Sequence, residues 1–131
     1  ECRILMDALH DGRLPWRVTH NDTKINNILF DKDSEEAICV IDLDTVMPGT
    51  SLFDFGDAVR YGASTAVEDE RDLSKVSLST ELYEQFTRGF LKGADGLLHE
   101  NEVEMLLPSV KVMTLELAAS SSSRSNTALV G

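Results

Sequence analysis

Val18-Thr19-His20-Asn21-Asp22-Thr23-Lys24-Ile25-Asn26-Asn27-Ile28-Leu29-Phe30 is the stretch on which the reading of the chain turns. It places a Lys two positions and an Asn five positions after an Asp, with a His two positions before it. Across 20–27 neither the helical nor the strand period of apolar residues is present, so this segment reads as a loop. Arg17-Val18-Thr19 before it is β-prone, and Ile28-Leu29-Phe30 after it suits a short strand. A charged turn over 31–36 follows. The apolar run 37–41 then predicts a second strand, paired with the first as a hairpin. Its carboxyl end delivers Asp42 to a loop that runs to Gly49.

Helical patterns surround these loops. Ile4, Leu5, Ala8 and Leu9 fall at helical spacing, with Asp11-Gly12 as a stop. Leu52, Phe55, Ala58 and Val59 lie on one face of another helix. A polar, acidic connection over 62–75 leads to Leu78, Leu82, Phe86 and Phe90, one every four residues. With Glu81 in the first turn and Gly93 past the end, they predict an amphipathic helix. Val103, Leu106, Leu107, Val110, Thr114 and Leu117 predict one more, which Pro108 should kink or restart. Residues 120–131 begin with a serine run and carry no core pattern, so a frayed tail is expected after a unit spanning 1–119. The sum is an α+β chain, mostly helical, with one small hairpin carrying the polar loops.

Composition narrows the function classes. The 131 residues hold 23 acidic and 12 basic side chains, for a net charge of −11. That argues against nucleic acid or an anionic membrane surface as a partner, since both call for a basic face. The chain is 42% hydrophobic, enough for a core. Two cysteines, Cys2 and Cys39, make no disulfide framework, and Cys39 in its apolar run reads as a small buried hydrophobe. No signal-peptide pattern or apolar run of about 18 residues is present, so a soluble, cytoplasmic protein is expected. The chain does not begin with Met and is short for a two-lobed enzyme, so a large-lobe fragment of a longer protein is expected, inactive by itself while the parent protein is a kinase.

The loop residues suit phosphoryl transfer. That chemistry needs a carboxylate to orient the attacking hydroxyl and accept its proton, oxygen ligands for Mg²⁺, and a positive group near the moving phosphoryl. Asp22 fits the base, Asn27 and Asp42 the metal ligands, and Lys24 the positive group. His20 fits a brace for the loop better than the proton acceptor. Taken singly, these residues have plainer readings. An Asp-Asn loop is a turn whose side chains bond their own backbone, His20 a satisfied polar residue at a strand end, and Lys24 a surface charge. Asp42 is harder to set aside, because a carboxylate ending an apolar strand needs a partner. His-x-Asp-x-Lys-x-x-Asn, a hairpin and then Ile-Asp follow the order of a kinase catalytic loop. Asp54-Phe55-Gly56 spells the metal-binding triplet of protein kinases, yet its surroundings are helical. Asp54 therefore reads as a structural carboxylate accepting backbone N–H bonds from the loop.

These residues, His20-Asn21-Asp22, Asn27, Val40-Ile41-Asp42, Gly49 and Asp54, resemble the aminoglycoside phosphotransferase and choline kinase superfamily, whose fold is protein-kinase-like. Asn21 stands where that pattern has Gly, and Thr50-Ser51 where Asp-Pro is common. More narrowly, 19–27 and 40–49 resemble N-acetylhexosamine 1-kinases, often labelled mucin-desulfatase-like. That likeness extends through Asp54-Phe55-Gly56-Asp57 and the acidic stretch 68–75, over roughly residues 17–119. It implies ATP- and Mg²⁺-dependent phosphorylation of the anomeric hydroxyl of an N-acetylhexosamine, with Asp22 as base and Asn27 and Asp42 on the metal. It also implies a small lobe, absent from this stretch, that covers the nucleotide. Two alternatives stay open. One is an aminoglycoside or amino-alcohol acceptor on the same machinery. The other is a non-catalytic, truncated interaction domain whose exposed apolar surface favours self-association.

Overall fold

A computed structural model of the chain describes residues 3–66, 70 and 72–127. The helical body is one apolar cluster drawn from three helices and the loop after the first. Helix α1 (Ile4–His10) buries Leu5, Ala8 and Leu9, while Ile4 is exposed. It stops at Asp11, after which Gly12 takes φ +75°, a left-handed conformation that suits glycine. Helix α2 (Ser51–Gly62) buries Leu52, Phe55 and Val59, with Thr50 as N-cap. Helix α3 (Thr80–Gly93), capped by Ser79, contributes Tyr83, Phe86 and Phe90 as a partly buried flank. The Phe55 ring lies tilted against Phe90, centroids 5.0 Å apart, and edge-on to Tyr83 at 6.5 Å. Leu78, expected on this helix, instead bridges to Ser64 just ahead of the cap.

The last helical pattern is broken in two, as the proline suggested. Helix α4 (Glu100–Glu104) ends at Met105, and α5 (Leu106–Thr127) restarts with Pro108 in its first turn, where the missing N–H costs nothing. The backbone of α5 runs on through the serines at 120–123; residues 128–131 lie outside the described part. Leu106, Val110 and Val112 of α5 enter the core. Helices α2 and α5 touch through Gly56, where an added Cβ would stand 2.6 Å from Met113 Cγ and 2.8 Å from the Ser109 carbonyl oxygen. The glycine of the Asp54-Phe55-Gly56 triplet thus serves helix packing, and its phenylalanine fills the core.

Two small antiparallel ladders position the loops. Strands β2 (Ile28–Phe30) and β3 (Ala37–Val40) form the expected hairpin, pairing Ile28 with Val40 and Leu29 with Cys39. The second ladder was not expected. Strand β1 (Arg17–Thr19) pairs with β4 (Met47–Gly49), Arg17 opposite Gly49 and Thr19 opposite Met47. A Cβ on Gly49 would lie 2.6 Å from Thr19 Oγ1, so glycine permits that approach. Because β1 leads into the 20–27 loop and β4 leads out of the Asp42 turn, this pairing closes both loops at one base.

One expectation about burial is corrected. Cys39 is a free, exposed thiol, and all four residues of β3 are exposed. The apolar run is real, but among the described residues no second layer packs on the hairpin, and burial depends on what covers a strand rather than on its pattern.

Candidate active site

The loop after β1 has almost no backbone ladder of its own, so its shape depends on side chains. Asp54, in the first turn of α2, accepts the N–H of His20 at 3.0 Å and of Asn21 at 2.8 Å on its two carboxylate oxygens. Thr23 Oγ1 donates to the Asp54 carbonyl at 2.6 Å. Asp57, one turn further along, accepts the Thr23 N–H at 2.9 Å. Asn21 sits at φ +64°, the left-handed region that asparagine tolerates better than most residues, which explains how it stands where the resembling families have glycine. Its side chain also fastens the second loop, with Nδ2 donating to the Thr45 carbonyl at 3.0 Å. Thr45 Oγ1 returns a bond to the His20 carbonyl at 2.6 Å.

Asp22, Lys24 and Asn27 come together at this loop. Asn27 Nδ2 donates to Asp22 Oδ2 at 3.0 Å and to the Asp22 carbonyl at 2.9 Å. Lys24 Nζ stands 3.6 Å from Asp22 Oδ1. The asparagine's donor end is thus committed to Asp22, and its amide oxygen is the end left to meet a cation. His20 is committed at both ring nitrogens: Nε2 lies 2.9 Å from the Ile41 carbonyl, and Nδ1 faces the Asp22 N–H at 3.3 Å. A carbonyl only accepts and an amide N–H only donates, so these two partners fit the tautomer that carries a proton on Nε2. That leaves it a brace between the two loops.

Asp42 follows directly. Ile41 donates its N–H to the Asn27 carbonyl at 2.9 Å, bringing the end of β3 against the end of the loop. Asp42 then takes φ +61°, ψ +60°, opening a single 3₁₀ turn over Leu43–Thr45. Its side chain is exposed, and among the described residues nothing donates to its carboxylate. Among those residues no group of three His, Cys, Asp or Glu is gathered to hold a metal. Asn27 and Asp42 carry an amide oxygen and a carboxylate, the oxygen donor types that Mg²⁺ takes.

A cleft of about 340 Å³ opens beside Asp22, lined by Asn21, Asp22, Lys24, Asp57, Arg60, Met113, Glu116 and Leu117. Beneath it lies an ion pair that sequence reading missed. Arg17 at the start of β1 grips Glu102 of α4 two-pronged, Nε to Oε1 at 2.7 Å and Nη2 to Oε2 at 2.6 Å. Ser51 Oγ and the His99 N–H donate to the same carboxylate at 2.6 and 2.9 Å. Burial pushes the Glu102 carboxyl up, but the Arg17, His99 and Ser51 bonds and the Arg17 charge outweigh it and bring it down to about 2. Three elements that frame the loop are tied at one buried point. The Glu three residues after His99 is a capping pattern that could have marked Glu102, whereas its partner 85 residues away leaves no local signal.

A model of the phosphotransferase enzyme family matches residues 1–94. The match covers the 20–27 loop, the Asp42 turn and α2, and it closes with α3.

Proposed function

The chain belongs to the phosphotransferase enzyme family, and from that premise we propose that it carries the catalytic loop of an ATP- and Mg²⁺-dependent kinase for a small-molecule hydroxyl. The observation that carries the reading is the Asp22 carboxylate held between Asn27 Nδ2 and Lys24 Nζ in a loop braced from α2. A carboxylate so placed, open to the cleft, can accept a bond from an incoming hydroxyl and take its proton as the oxygen attacks. Fixing its rotamer beforehand lowers the entropy cost of alignment. Lys24 supplies positive charge next to the carboxylate as the phosphoryl group arrives. Asn27 and Asp42 would hold Mg²⁺, which would offset negative charge on the nucleotide's phosphates. Asn21 and Thr45 keep the two loops in register.

For the acceptor, the likeness to N-acetylhexosamine 1-kinases makes an N-acetylhexosamine the first choice, ahead of aminoglycosides and amino alcohols. The exposed apolar hairpin, with Leu29, Phe30, Ile38 and Val40 at its surface, is read as the seat of a nucleotide-covering lobe. The same patch supports a second reading, a non-catalytic domain that self-associates through it. Both are tested together by supplying γ-labelled ATP and Mg²⁺ to the full-length protein that carries this stretch, with a panel of N-acetylhexosamines, aminoglycosides and choline-like alcohols, alongside light scattering of the stretch itself. Label on the anomeric phosphate of an N-acetylhexosamine is the expected result. Label on an amino alcohol instead would overturn the acceptor assignment, and concentration-dependent association with no transfer would favour the interaction domain.

A further inference from the structure

We propose that Asp57, backed by Arg60, is a positioning residue for Asp22, fixing the Thr23 amide that the Asp54 carboxylate does not reach; this rests on the phosphotransferase reading above. Helix α2 presents Asp54 and Asp57 three residues apart, hence on one face. Asp54 takes the amides of His20 and Asn21 ahead of Asp22. Asp57 Oδ2 takes the amide of Thr23 just after it. The Asp22 amide itself turns to His20 Nδ1. The backbone on both sides of the candidate base is therefore clamped by two carboxylates of one rigid helix.

Asp57 is an unusual choice for a merely structural acceptor. It is only 5% exposed, and a buried carboxylate is costly unless matched by charge and hydrogen bonds. Arg60 supplies the match, with Nη2 on Asp57 Oδ1 at 3.0 Å. Both side chains line the cleft that Asp22 opens into. Without Asp57 the Thr23 end of the loop loses its amide anchor and keeps only the hydroxyl bond to the Asp54 carbonyl, while the His20 end stays held, so Asp22 can pivot out of line. A small displacement of a reacting group is felt in the rate of transfer rather than in nucleotide binding.

The test compares the wild-type full-length protein with its Asp57→Ala and Asp57→Asn variants, by steady-state ATP turnover with Mg²⁺ and by amide hydrogen exchange. The expected result for Asp57→Ala is a kcat about 10- to 100-fold lower with the KM for ATP within about twofold. Exchange should rise over residues 18–27 and not over the hairpin. Asp57→Asn keeps an acceptor for Thr23 and should fall between the two. Should Asp57→Ala not fold, the near-isosteric Asp57→Asn decides, by the same local rise in exchange. Wild-type kcat and wild-type exchange over 18–27 would overturn the proposal. So would exchange rising equally across the whole chain, with no recovery in Asp57→Asn. A wild-type full-length protein without ATP turnover would instead fail the kinase reading, and the exchange data would still decide whether Asp57 holds the loop.

Discussion

Around Asp22 the backbone is held from beneath by α2, with carboxylates of Asp54 and Asp57 on the amides of His20, Asn21 and Thr23. Around Asp42 nothing comparable exists among the described residues. That turn hangs from the first loop through Asn21 to Thr45, Thr45 to His20, and His20 to Ile41. The contrast suits the two proposed roles. A base must already point at its target, whereas a metal ligand on an exposed turn can close onto its ion. The dependence also runs one way: loosening α2 should disturb both loops, and altering Asp42 should disturb only its own.

The strongest challenge to this contrast lies beneath both loops. Arg17→Met leaves the Glu102 carboxylate buried without its counter-charge, and loss of one partner of a buried pair costs about 3–5 kcal/mol. Urea unfolding should show that loss, and no change in midpoint would mean the loops do not share a foundation. The pair also sets an acid limit. The Glu102 carboxyl is held at about 2 in the folded chain, below its ordinary value of 4.5. Its contribution is therefore full above about pH 4.5 and is lost as the pH falls from there toward about 2. Thermal melts from pH 6 downward should steepen in that window for the wild type and less so for Glu102→Gln.

Next in size is the clamp. Asp54→Ala should lower turnover about 100-fold and raise the Mg²⁺ requirement too, because both loops lose their support. A change in only one of these would break the one-way dependence. The smallest effect belongs to the turn. Asp42→Asn should raise the Mg²⁺ needed for half-maximal turnover at least about tenfold while leaving the melting temperature unchanged. A drop in stability would show that Asp42 has a structural partner.

What could be read from the residues follows from how local each signal is. Helices α1, α2 and α3, the hairpin, and the break at Pro108 come from spacing and caps within a dozen positions. The polar loop between two β-prone pieces is equally local. The β1–β4 ladder was hidden because Met47-Pro48-Gly49 is short, contains a proline and shows no alternation. Cys39 was misplaced because an apolar strand says nothing about whether a layer lies above it. Asp57 was legible in type but not in role, since its partner Thr23 is 34 residues away. The pairing of Arg17 with Glu102, 85 residues away, was out of reach for the same reason.

The account stands or falls on Asp22 as the group that receives the acceptor's proton. The direct measurement is phosphoryl transfer from ATP by the full-length protein carrying Asp22→Asn, alongside nucleotide binding by the same variant. Transfer reduced about 100- to 10,000-fold with Mg²⁺–ATP still bound is the predicted outcome. Transfer at the wild-type rate would contradict it.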